Sequence, residues 1–211
     1  MRSLPFMRIL LLVALGIVLA FTFESLGLPT YVTIGAIFLV FMIISVSWPF
    51  YIIYKTNNLK LVDRYMKNNA KRPIFNYSYQ LAHGTDEEVI SALHTMLERF
   101  PQPEMQMVYK GNLAIFEKDA DALQAHAESL SPSEYRVYFL LIAHAMRGEF
   151  EEARQYEKKL TSAWTRFSAA SLIAHYEGDE ATAEQQFQQL MNVTHGMQKY
   201  TLYHSFQRLN A

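Results

Sequence analysis

Histidine and carboxylate are the side chains in this chain best suited to chemistry. There are seven histidines: His83, His94, His126, His144, His175, His195 and His204. An imidazole can hold a metal or move a proton near neutral pH. His94 and Glu98 stand four apart, which puts two ligands on one helix face. A metal site needs three or four ligands, and no His-Glu-x-x-His pairing supplies them. His126 and Glu128 are too close in sequence to share a helical face. The chain has no cysteine, which removes thiolate metal sites, iron–sulfur clusters, disulfides and cysteine nucleophiles. Acids such as Glu149, Glu151 and Glu152 stand at a helix start, where they favour the helix dipole and the cap. No glycine-rich phosphate loop and no Gly-x-Ser-x-Gly elbow is present. The expectation is no catalytic residue, no metal, no cofactor and no enzymatic activity.

The elements that would carry these residues begin with an apolar third. Residues 1–54 hold Arg2, Arg8 and Glu24 and no other charge. Residues 31–54 run without a charge, and as a helix they span about 36 Å, enough to cross a hydrocarbon core with some tilt. Trp48, Tyr51 and Tyr54 gather at the end of the run, where amphipathic rings prefer the headgroup region, and Pro49 invites a kink there. Residues 9–23 are shorter. Starting at Leu4 makes the segment long enough, with Arg8 snorkelling to the headgroups. The rival is a cleaved signal peptide, but no small-residue cleavage pattern follows Ala20. Residues 24–30 contain Gly27 and Pro29 and suit a tight hairpin. That loop lacks Lys and Arg while both outer flanks have them, so the positive-inside bias puts both termini in the cytoplasm. Gly16 and Gly35 permit close helix contact without forming a GxxxG pair. Neither segment buries an acid, which argues against an ion pathway. The short loop and compact size suggest a bacterial cell membrane.

Residues 55–72 form a basic collar. Lys55, Lys60, Arg64, Lys67, Lys71 and Arg72 stand against the single acid Asp63, a net charge of +5. Leu59, Leu61, Val62, Tyr65 and Met66 recur at roughly helical spacing. The plain reading is the basic flank of an inner helix end; the functional one is an interfacial linker helix with these six cations on anionic lipid headgroups. Nucleic acid is not expected, because residues 73–211 carry 11 basic and 18 acidic residues and would repel phosphate.

Residues 73–211 read as helical throughout. Thr85 and Glu88 form a capping box, Pro101 and Pro103 break the chain, Ser133-Glu134 opens a helix, and Gly148 and Gly178 close two. Leu141-Ile142-Ala143-His144 recurs at Leu172-Ile173-Ala174-His175, and the Gly148 to Leu160 run recurs at Gly178 to Leu190. A fainter copy runs from Asp121 to Leu130 with Ala125 in the place of Ala153. With a first pair that fits by shape rather than by residues, these copies predict four hairpins, 74–83/86–99, 105–118/121–130, 133–147/150–161 and 163–177/180–192, with a last helix at 196–209 capping the stack. The overall expectation is an all-α chain with a two-helix transmembrane anchor (1–54), a basic linker helix (55–72) and a soluble helical repeat domain (73–211).

The run from Gly148 through Phe150, Ala153 and Leu160 resembles the turn and second helix of a tetratricopeptide repeat. The likeness covers roughly residues 105–192. The second copy has Ala181 where the aromatic belongs, the spacing falls short of the family's, and the terminal proline is missing. The resemblance implies that the first helix of each pair lines a concave, partner-binding groove. Tyr135, Tyr138, Ile142, Ala145 and Met146 would line it in one pair, and Thr165, Ser168, Leu172, His175 and Tyr176 in the next. Periodic aromatics also pack cores, and that reading stands beside the groove for the same residues. The function expected is a membrane-held adaptor or scaffold that binds a cytoplasmic protein or peptide; the alternative is an accessory subunit assembled through its transmembrane helices.

Overall fold

The computed structural model describes residues 3–27 and 29–209, with side chains from Val13 onward; Leu4, Arg8 and the other side chains before Val13 lie outside the described residues. Twelve helices and no strand occur among the described residues. The chain divides into two compact units at Ile52/Ile53.

The first unit holds α1 (Ser3–Ser25) and most of α2 (Thr30–Tyr54). Gly27 turns between them at φ +68°. α2 is long and apolar enough to cross a membrane, and many of its apolar side chains, among them Tyr31, Ile34, Phe38, Val46 and Phe50, are exposed. In α1 the described apolar stretch Val13–Ser25 is shorter than a span, so among the described residues one helix, not two, meets the length and hydropathy a crossing needs. A Cβ on Gly16 would meet Ile37 at 3.7 Å, whereas Gly35 faces open space.

The second unit runs from Ile53. Its helices are α3 (Leu59–Asn68), α4 (Pro73–His83), α5 (Asp86–Arg99), α6 (Pro103–Phe116), α7 (Ala120–Ser129), α8 (Glu134–Met146), α9 (Phe150–Glu157), α10 (Ala163–Glu177), α11 (Glu180–Val193) and α12 (Gly196–Leu209). Local chemistry sets most ends. Pro73 and Pro103 sit at the first helical turn, where a missing N–H costs nothing. Thr85 and Glu88 close the expected capping box at 3.3 and 2.8 Å.

The repeat is clearest in the turns. Asp119 N–H donates to Ala114 O at 2.9 Å, Glu149 N–H to His144 O at 3.0 Å and Asp179 N–H to Ala174 O at 2.9 Å. These are Schellman bonds. The left-handed residue just before each is Lys118, Gly148 and Gly178, and the N-cap that follows is Asp119, Glu149 and Asp179. Four residues further on, Leu123, Ala153 and Ala183 are fully buried. This phase corrects the fainter copy: Leu123, not Ala125, occupies the place of Ala153, and Ala125 is exposed. Lys118 carries the positive φ (57°) that glycine takes in the later turns, which is why the glycine signal fades there.

Each second helix packs on the first helix of the next pair (α5 on α6, α7 on α8, α9 on α10), and first helices meet along α6–α8–α10. The main core is Leu123, Ala127, Phe139, Leu141, Ala153 and Ile173 with their neighbours. The array does not end in a simple cap. α12 turns back onto α3 and α4, while its Phe206 stacks on Phe187 of α11 at 4.1 Å. α3, expected as a linker, is therefore packed into the second unit, with Val62 and Met66 fully buried and Tyr65 edge-on to Phe75 at 5.5 Å. Gly196 is required at this closure: its φ is +55°, its N–H donates to Thr56 O at 2.7 Å, and a Cβ would collide with the Ile53 carbonyl.

Candidate functional site

The residues assigned to a groove fall into two groups. Tyr138, Ile142, Ala145, Thr165 and Ser168 are buried; Ile142 is 1% exposed and Tyr138 8%. Tyr138 and Ser168 hold the same position in consecutive repeats, and their hydroxyls meet at 2.6 Å. Burial pushes the Tyr138 phenol up to about 12. That pair staples α8 to α10 and presents no surface to a partner. Tyr135, Met146, Leu172 and Tyr176 are half-buried, their inner sides packed on the main core. Tyr135 also touches Trp164, with ring centroids 6.2 Å apart, and His175 lies edge-on to Tyr176 at 5.5 Å. Of the residues assigned to the groove, Tyr135, Met146, Leu172, His175 and Tyr176 are the ones that keep part of their surface exposed.

The repeated histidines are not equivalent. His144 Nδ1 meets Glu149 at 2.6 Å, and its ring stacks on Tyr156. His175 stands 3.9 Å from Glu180, too far for a hydrogen bond, and its Nδ1 is buried without a hydrogen-bond partner. The cause is visible in the spacing. The histidine recurs after 31 residues but the turn after 30, so Asp179 stands where Glu149 did, one residue nearer its histidine. Asp179 instead caps Thr182 N–H at 3.0 Å.

A polar node that spacing alone could not reveal joins α3, α4 and α12. Asp63 accepts from the Tyr200 hydroxyl at 2.7 Å and meets His83 Nε2 at 2.5 Å. His204 packs on Tyr200 with ring centroids 4.5 Å apart. Partial burial would raise the Asp63 carboxyl, but hydrogen bonds from His83 and Tyr200 outweigh it and hold the group below its ordinary value. Burial, then repulsion from His83, lowers His204. Nearby, Arg208 donates to the carbonyls of Gln80, Leu81 and Gly84 at 3.1, 2.7 and 2.6 Å, satisfying the end of α4. Its guanidinium also meets Asp86 at 2.8 Å.

No group of three or more His, Asp or Glu side chains able to hold a metal occurs among the described residues. His94 is exposed on α5, and His126 is turned to the Met107 carbonyl at 2.9 Å. One polar cleft of about 260 Å³ lies between α4 and α5, lined by Asn76, Gln80, Glu87, Glu88, Ser91 and Thr95. An apolar cleft of about 390 Å³ lies between α1 and α2 in the first unit. The six collar cations, Lys55, Lys60, Arg64, Lys67, Lys71 and Arg72, are all exposed.

No family model, curated protein or solved structure matches this chain.

Proposed function

We propose that the protein is a membrane-held adaptor whose tetratricopeptide-like helical domain binds a protein or peptide. The observation that carries the reading is the row of half-buried side chains on two adjacent first helices, Tyr135 and Met146 on α8 and Leu172, His175 and Tyr176 on α10. Of these, Tyr135 and Tyr176 present a large amphipathic area at low entropic cost, as anchor positions of interfaces do. The net −7 of residues 73–211 favours basic or neutral ligands. In this reading α2 spans the bilayer, α1 is retained as a second membrane helix, and both termini face the cytoplasm of a bacterial cell, as the placement of basic residues favours.

The test is a crosslinked pull-down of the tagged full chain from its own membranes, beside Leu172→Ala with Tyr176→Ala. Loss of one captured protein by the variant, while it still unfolds cooperatively at a modestly lower Tm, is the expected result. Equal capture by both would overturn the assignment of this face.

A second reading, an accessory subunit of a membrane complex, is favoured by the outward-facing side chains of α2. Replacing residues 1–54 by an unrelated hairpin separates the two. An adaptor keeps its partner after the exchange; a subunit assembled through these helices loses it.

A further inference from the structure

The collar helix has its two faces committed in opposite ways. Val62 and Met66 are fully buried against the rest of the second unit. Lys60, Arg64 and Lys67, spaced four and three apart, line the other side and are exposed. Lys55 precedes them, and Lys71 and Arg72 follow. None of these six cations makes an ion pair or a side-chain hydrogen bond among the described residues, whereas Arg147, Arg154 and Arg208 are each paired with an acid. Asp63, the one acid within the collar, is turned inward to His83 and Tyr200. The one acid of the collar is engaged by the fold and pairs with none of the six cations, so the collar keeps its net charge of +5.

We propose that this stripe is a docking surface for anionic phospholipid headgroups, acting by charge alone and without insertion. An interfacial amphipathic helix needs a free apolar face, and here that face is buried. What remains is the electrostatic part, in which each cation near an anionic surface strengthens binding roughly five-fold. Lipid is favoured over another polyanion by chain continuity: Lys55 directly follows α2, the helix long and apolar enough to cross a membrane. The inference rests on the reading of α2 as a span.

The test uses the full chain in detergent micelles seeded with equal parts phosphatidylglycerol and phosphatidylcholine, with retained lipid read by native mass spectrometry. The wild type is expected to retain phosphatidylglycerol in excess and to lose that excess in high salt. Lys60→Gln with Arg64→Gln and Lys67→Gln should cut the excess sharply, leaving only what Lys55, Lys71 and Arg72 supply, with thermal unfolding unchanged, since none of the three has a partner in the fold. Lys110→Gln with Arg166→Gln, two exposed cations outside the collar, should leave the excess intact. Parity in the wild type, or an excess that the triple variant leaves undiminished, would overturn the proposal; the second result would point to apolar insertion or another surface. Alkaline carbonate extraction of cell membranes reports on α2 separately. Release of the chain there would defeat the span while leaving the lipid ratio to decide the stripe on its own.

Discussion

Glu134 offers the most exacting check on how the repeats are joined. It opens α8, yet its carboxylate works on a different helix. One oxygen, Oε1, accepts from Thr161 N–H and Ser162 N–H, both at 2.8 Å, from the Ser162 hydroxyl at 3.0 Å and from the Thr165 hydroxyl at 2.8 Å. Ser162 is the N-cap of α10 and makes no capping bond with its own side chain. Glu134 thus supplies from one repeat the anion that the start of the next helix requires. Desolvation opposes the charge, but the donors from Ser162, Thr165 and Thr161 prevail and pull the carboxyl down from 4.5 to about 2.

Taken at face value that displacement is worth about 3 kcal/mol. Glu134 is only half-buried, so solvent screening reduces the figure to about 1–2 kcal/mol. Glu134→Gln keeps the size, removes the charge and offers an amide to a ring of donors. The expected cost is about 1–2 kcal/mol, a fall of about 2–8 °C in Tm for a unit of this size. The sign with pH follows from the lowered pKa. The stabilisation is complete above the unfolded value and is lost as pH falls from about 4.5 towards about 2. Thermal unfolding of the full chain in detergent, followed through Trp164 fluorescence beside the site, should show wild type and variant well separated at pH 7 and converging in acid. Equal Tm at pH 7 would refute the cap. A gap that stays constant into acid would show that shape, not charge, is responsible.

Tyr138→Phe should cost about 1–2 kcal/mol by leaving the buried Ser168 hydroxyl without its 2.6 Å partner, and Tyr138→Ala about 3–5 kcal/mol by opening a cavity, both read by chemical denaturation. Gly196→Ala should destabilise the second unit by more than the roughly 1 kcal/mol of a left-handed alanine, because its methyl meets the Ile53 carbonyl, and proteolysis should then begin near residues 194–196. The Asp63 node should weaken on acidification: His204 and Asp63 both have lowered values, so their stabilisation is present above the unfolded pKa and lost as pH falls, first below about 6.5 and then below about 4. Asp63→Asn should shrink the lower fall in a calorimetric Tm–pH profile, leaving the share that Glu134 contributes, and keep the upper in place.

The helices were legible because their signals are local. Thr85 and Glu88 lie three residues apart, Pro73 and Pro103 act on their own turns, and Gly148 and Gly178 mark left-handed backbone in the sequence itself. The first copy of the turn was misphased for the same reason, since Lys118 takes the conformation without the residue that advertises it. The candidate face was half legible. Periodicity places Tyr135, Tyr138 and Ile142 on one helix but cannot say how closely α10 approaches. That approach, sealed by Tyr138 on Ser168, decides which of them a partner can touch.

What no spacing could reveal are the contacts made across the chain, and they bear most on function. Asp63 and Tyr200 are 137 residues apart, and Arg208 reaches Gln80, Leu81 and Gly84 from the other end of the unit. These contacts turn an expected open stack into a closed one and convert the collar from a linker into a structural helix. The conversion sharpens the role of the collar's charge. A flexible basic linker can fold back on the acidic domain and neutralise itself. A helix clamped by Val62, Met66 and Asp63 leaves Lys60, Arg64 and Lys67 exposed and without an ion pair. The contacts that close the array therefore also keep the stripe free for an anionic surface. Weakening the clamp, as Tyr200→Phe would, should disturb lipid selectivity without removing one positive charge.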